Sequence, residues 1–143
     1  MRDRYNADLA NGLGNFAARV LTLAEKAEVK FGKLDGEFEE VIASTKRTVA
    51  EKIAAFRFSE ALAAIWAALA LGDRYVNEKK VWEIKDDAKR TQALFNLVSL
   101  LDNIAAMIAP FMPETSRRIA AAIAWKGDVL KVAKPEILFP RIK

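Results

Sequence analysis

The sequence predicts an all-α fold, an antiparallel bundle of about five helices with an extended C-terminal strap, in one domain over residues 1–143. Three observations predict it. Apolar residues recur at three- and four-residue spacing along most of the chain, the period of a helix with one buried face. Alanine is abundant, while six glycines and four prolines are few for a sandwich or barrel rich in turns. The connections between periodic segments are short, which favours antiparallel neighbours. With 143 residues and 52% hydrophobic side chains, the chain is long enough for one core and too apolar for general disorder.

The first helix is predicted from Asp3 to Lys26, with Leu9, Leu13, Phe16, Ala17, Val20 and Leu21 on its buried face. It also carries Asn6, Asn11, Asn15, Gly12, Gly14 and a mid-helix Arg19. Glycine costs about 1 kcal/mol against alanine inside a helix, so helix stability alone does not account for them. "KFGKLDGEF", residues 30–38, signals a turn. A second helix follows from near Glu37 to Ala55, with Phe38, Val41, Ile42, Thr45, Val49, Ile53 and Phe56 as its stripe. Ser59 is the expected N-cap of a third helix reaching Glu78 or beyond. That helix is apolar around most of its circumference and is expected to be the most enclosed. "EIKDDAKR" connects to a fourth helix over Ala88–Ala109, using Leu94, Leu97, Leu101, Ile104 and Ile108, and Pro110 stops it. Pro113 opens a fifth helix that ends before Gly127. "DVLKVAKPEILFPRIK" reads as the strap, with Ile137, Leu138 and Phe139 docking on the bundle.

Composition excludes much chemistry. Without cysteine or histidine there is no disulfide, thiol nucleophile, imidazole triad or Glu-x-x-His di-iron site. The acid pairs Glu39/Glu40 and Asp86/Asp87 are adjacent in sequence and do not face a common substrate. No phosphate-binding glycine motif occurs after a strand. No catalytic residue, metal site or cofactor is therefore expected in this chain. The missing cysteines fit the cytoplasm, the N-terminus lacks the apolar block of a signal peptide, and "ALAAIWAALALG" is too short to span a bilayer.

The net charge of +4 is concentrated late in the chain: residues 73–143 hold thirteen basic and nine acidic side chains. A reader of unpaired bases needs a planar ring, amide or guanidinium donors, and positive charge for phosphates. Asn15 and Arg19 lie one turn apart on one helix face. Trp82 follows "EKK" and is flanked by Lys79, Lys80 and Lys85. A purely structural reading stands beside this one, with Trp82 capping the core, Arg19 in an ion pair and Asn15 packing against a neighbour.

Four motifs, "YNADLANGLGNFAARV", "RYVNEKKVWEI", "IAPFMPETSRRI" and "LFPRI", together resemble the anticodon-binding domain of methionyl-tRNA synthetases, in the family's order and over nearly the whole chain. The resemblance implies that Asn15 and Arg19 contact anticodon bases and that Trp82 stacks on the first of them, cytosine. Lys79, Lys80, Lys85, Lys89 and Arg90 are expected to hold phosphates, while Asn6, Asp8 and Asn11 are read as structural. Val81 stands where the family usually has proline, which would fix the backbone before the tryptophan. The implied partners are the initiator and elongator tRNAs for methionine and the enzyme's own catalytic domain, with no membrane. That catalytic domain uses ATP and carries HIGH and KMSKS signatures, which are missing from these residues. The chain is thus expected to be a domain of such a ligase, or a freestanding relative of one. Alternatives from other classes are a helical protein-interaction module that binds no RNA and the equivalent domain of a related class I synthetase.

Overall fold

Alanine-rich, periodically apolar segments should pack as helices through small residues, and the computed structural model is such a bundle over the residues it describes, 2–25, 33–126 and 129–132. Five helices are described: α1 (Arg2–Glu25), α2 (Gly36–Ala54), α3 (Phe58–Lys79), α4 (Asp87–Ile108) and α5 (Pro113–Ala122). A single 3-10 turn, Val81–Glu83, lies between α3 and α4. The expected all-α bundle is therefore present, with one addition. Strands β1 (Ile123–Lys126) and β2 (Val129–Val132) pair antiparallel, with Ile123 opposite Val132 and Lys126 opposite Val129. This hairpin corrects the predicted fifth helix, which ends at Ala122, where the isoleucine and tryptophan of "IAWK" favour extended backbone. The strap residues Ile137, Leu138 and Phe139 lie outside the described residues.

The helix starts differ from the sequence expectation in one place. Ser59 does not cap α3; Arg57 occupies that position and Ser59 falls in the first turn. The reason is Phe56, whose left-handed backbone (φ 60°) turns the chain so that the helix begins at Phe58. Phe56 accordingly leaves the α2 stripe and is exposed, while Phe38, Ile42, Thr45 and Val49 are buried as predicted. At α4, Asp86 is a true cap, its Oδ1 accepting from the Ala88 and Lys89 N–H groups at 2.9 and 3.2 Å.

The most enclosed helix is α4, not α3. It packs against each of the other four helices, whereas α3 leaves Ala63, Trp66, Ala67 and Ala70 exposed. Leu94, Leu97, Leu101, Ile104 and Ile108 are all buried. By length and composition α4 could cross a membrane, yet 67% of that apolar stretch is buried inside the bundle, so its place in the core accounts for its hydropathy.

Two local devices set the packing. At Gly72, a Cβ would stand 2.7 Å from Phe16 Cζ and 2.8 Å from Leu100 Cδ2, so only glycine lets α1, α3 and α4 close to this distance. Gly12 similarly faces Trp66, whose Cη2 would be 2.9 Å from an added Cβ. The second device is polar. Asn96 is fully buried, and its Oδ1 accepts from the Asp35 N–H at 3.1 Å while its Nδ2 donates to Asp35 Oδ2 at 2.7 Å. Gln92 Nε2 donates to Asn96 Oδ1 at 3.1 Å and to the Lys33 carbonyl at 2.8 Å, which ties the entry to α2 onto α4. Tyr75 packs edge-on against Phe38 at 4.8 Å. Burial pushes the Tyr75 phenol up from its ordinary range, the nearby Asn96 amide opposes this, and the charges of Asp35 and Glu37 add to the rise.

These devices have measurable consequences. Gly72→Ala should lower stability by on the order of 1 kcal/mol, because overpacking among buried rings outweighs the gain of about 1 kcal/mol in helix propensity. Gly12→Ala should be neutral or stabilising by up to about 1 kcal/mol, since Trp66 is 38% exposed and its ring can move aside. Urea melts of the two variants check the difference in sign. Asn96→Asp should destabilise at neutral pH by setting a second carboxylate against Asp35. Its folded-state pKa would be raised by that neighbour and by burial, so stability should be regained below the usual aspartate range and lost as pH rises through the raised value, in melts from pH 3 to 8.

Candidate nucleic-acid interface

The parallel run of α1 beside α3 determines which polar side chains meet. Gly12 lies against Trp66, Phe16 against Gly72, and, continuing in that register, Arg19 reaches Asn77. Arg19 Nη1 donates to Asn77 Oδ1 at 3.1 Å on the exposed surface. The partner is a neutral amide, so it orients the guanidinium without cancelling its charge.

The chain after α3 is turned by Lys80, which has a left-handed backbone (φ 46°, ψ 57°) and whose N–H bonds back to the Val76 carbonyl. This left-handed end to the helix leads directly into the 3-10 turn. There Val81 is fully buried and Trp82 is 53% exposed, so one side chain anchors the turn while the next is held outward. The proline usual at position 81 in the resembled family is thus replaced by an apolar anchor. The indole is presented to solvent and does not cap the core.

Ala18, Arg19, Thr22, Leu23 and Trp82 line an open hollow of about 550 Å³. That volume lies within the range of roughly 300 to 1,000 Å³ common to small-molecule sites. Its walls offer an indole face, a guanidinium and a hydroxyl, the groups able to stack on and hydrogen-bond a flat heterocycle. Asn15 is exposed one turn before Arg19 on the same helix. The structure therefore brings Arg19 and Trp82 to one hollow and places Asn15 next to it.

The basic residues that flank Trp82 in sequence differ in exposure. Lys79, Lys80, Lys85 and Lys89 are exposed, from the last turn of α3 to the first turn of α4. Arg90 is half-buried and its Nη2 pairs with Asp87 Oδ1 at 2.7 Å. The four lysines thus have more freedom to follow a phosphate chain than Arg90. Asn6, Asp8 and Asn11 have no described side chains. Sequence reasoning missed Asn77, Ala18, Thr22 and Leu23. The last three were signalled by spacing, since with Asn15 and Arg19 they complete one face of α1, where Ala18 and Thr22 are small enough to leave space. Asn77 lies within "RYVNEKKVWEI", but nothing in its spacing to Arg19 across 58 positions announced the contact.

The model of the "anticodon-binding domain of tRNA ligase" family matches residues 35–139. Methionine–tRNA ligase of Thermofilum pendens is 34% identical over 131 residues, covering 87% of this chain and 23% of that protein. Its counterpart in Caldanaerobacter subterraneus subsp. tengcongensis is 30% identical over 165 residues, covering 98% and 26%. The chain thus spans about a quarter of the length of these relatives. Mycobacterium tuberculosis methionyl-tRNA synthetase, solved with methionyl-adenylate, superposes with a TM-score of 0.77 at 22% identity, over 96% of this chain and 32% of that one, which shows a shared fold.

Val81→Ala tests how the indole is held. Loss of the buried methyl groups should lower stability by on the order of 2 kcal/mol and loosen the turn. With Trp66 and Trp125 replaced by phenylalanine so that Trp82 is the sole emitter, the variant should show a lower fluorescence anisotropy than its Val81 parent.

Proposed function

The chain belongs to the family of anticodon-binding domains of tRNA ligases, and on that premise we propose that it reads the CAU anticodon of methionine tRNAs, initiator and elongator alike. Its partner in this reading is a catalytic domain that attaches methionine to the tRNA at the expense of ATP, in the cytoplasm. The observation that carries the reading is the shared hollow of Arg19 and Trp82 beside Asn15, within a fold whose relatives are methionine–tRNA ligases.

Each group has a distinct task. Trp82 offers a half-exposed indole on which the first anticodon base, cytosine, stacks, a contact worth roughly 1 to 3 kcal/mol. Arg19, aimed by Asn77, donates to a base edge, and Asn15 supplies an amide that both donates and accepts. The cytosine edge presents an amino donor and two acceptors, so a guanidinium and an amide together can discriminate it from uracil. Lys79, Lys80, Lys85 and Lys89 hold the backbone by charge, with Arg90 contributing at the edge of the site.

Affinity of the chain for a 17-nucleotide anticodon hairpin provides the test. A CAU hairpin should bind at least tenfold more tightly than one with UAU, and Trp82→Ala together with Asn15→Ala should remove that preference. Contact with about three phosphates of a single-stranded loop should give a log–log salt slope near −2. Equal affinity for both hairpins would overturn the assigned base contacts. A flat salt response would favour apolar docking of a protein instead.

A further inference from the structure

A second hollow, of about 500 Å³, lies between α2 and α3 and shares no lining residue with the one beside Trp82. On the α2 side Glu37, Glu40, Ser44 and Thr45 give it polar groups. Residues three and four apart share a helix face, so Glu37, Glu40 and Ser44 follow one another along α2, with Thr45 next to Ser44. The α3 side is apolar, formed by Ala67, Ala68 and Leu71, and the two alanines are short enough to leave the space open.

Two observations give this hollow a chemical preference. Glu37 and Glu40 are exposed, and neither enters an ion pair among the described residues, although the chain carries a net charge of +4. A carboxylate in the first turn of a helix offsets the macrodipole, which accounts for Glu37 but fades by Glu40, beyond that turn. The second observation is Thr45. It is only 9% exposed, and its hydroxyl has no hydrogen-bond partner among the described residues, whereas the buried Asn96 is bonded at both its oxygen and its nitrogen. A hydroxyl enclosed to this degree is costly when unpaired, and the little surface Thr45 keeps opens on the hollow.

The spacing of the polar groups sets a length. The midpoint of Glu37 and Glu40 lies six residues from that of Ser44 and Thr45, about 9 Å along the axis at 1.5 Å per residue. An extended six-carbon diamine advances about 1.25 Å per bond and reaches about the same distance. The volume also falls within the range of roughly 300 to 1,000 Å³ common to small-molecule sites.

We propose that the hollow between α2 and α3 is a binding site for a small aliphatic diamine. One ammonium group sits at Glu37 and Glu40, the hydrocarbon chain lies on Ala67, Ala68 and Leu71, and the other ammonium group donates to the Ser44 and Thr45 hydroxyls. The acidic end excludes the phosphates of a nucleic acid, so the site works apart from the hollow of Arg19 and Trp82.

Titration of the ¹⁵N-labelled chain with 1,6-diaminohexane at constant ionic strength, followed by amide chemical shifts, tests the proposal. Amides of residues 37–45 and 67–71 should shift along one saturable curve, while those of residues 18–23 should not move. Glu37→Gln with Glu40→Gln should raise the half-saturating concentration at least tenfold. Thr45→Val keeps the shape but removes the hydroxyl and should raise it at least threefold. Ala67→Trp fills the space from an exposed position and should abolish saturation, which keeps the test decisive should Thr45→Val not fold. Hexane-1,6-diol, of the same length but uncharged, should leave these amides unmoved. A response that does not saturate, or one unchanged by the double glutamate substitution, overturns the site. Tetralysine saturating the same amides at a tenfold lower concentration would assign the hollow to a lysine-rich protein segment and also overturn the proposal.

Discussion

A missing side chain at Gly72 is the constraint on which the rest of the arrangement depends. Phe16 and Leu100 fill the space where its Cβ would be, so α1 approaches α3 and α4 more closely than any other residue there allows. Because α1 and α3 run parallel through this contact, the register fixed at Phe16 and Gly72 also fixes Arg19 beside Asn77, and brings Ala18, Thr22 and Leu23 opposite Trp82. The hollow is a consequence of core packing one turn away. Its geometry is held by buried atoms and not by the exposed groups that line it.

The polar knot around Asn96 complements this contact. A buried amide is costly unless its oxygen and nitrogen find partners, and here Asp35 and Gln92 supply them. The bonds to Asp35 depend on direction as well as distance, so they specify where the chain enters α2 in a way that apolar contacts alone do not. Together the glycine crossing sets how closely the helices approach, and the amide sets where α2 begins. Such separation of tasks is consistent with a core made mainly of leucine, isoleucine and alanine, which packs well but discriminates poorly between similar registers.

Much of the fold was legible in the sequence because the helical period is long and rarely interrupted. Leu94, Leu97, Leu101, Ile104 and Ile108 announced the buried face of α4, and Pro110 and Pro113 its end and the next beginning. The errors arose where a local choice depends on neighbours. Ser59 looked like a cap, but the turn made by Phe56 moved the helix start; α3 looked the most enclosed, but its alanines face solvent as readily as core. The site was legible in part. The four-residue step from Asn15 to Arg19 put both on one face, and "EKKVW" drew attention to Trp82, while the convergence of Arg19 with Trp82 comes from tertiary register. Asn77 was invisible for the same reason, since a contact across 58 residues has no signature in spacing.

The unbroken run of α3 from Phe58 to Lys79 makes the bundle a ruler. Its 22 residues span about 33 Å at 1.5 Å per residue, with the Phe56 turn at one mark and the tryptophan turn at the other. Each residue added to or removed from α3 would shift the two ends by about 1.5 Å and rotate them by about 100° around the helix axis. Sequence drift along α3 can therefore change side chains freely on its exposed face, but not its length. A substitution is local, whereas a single-residue indel changes the alignment of one end of the bundle with the other.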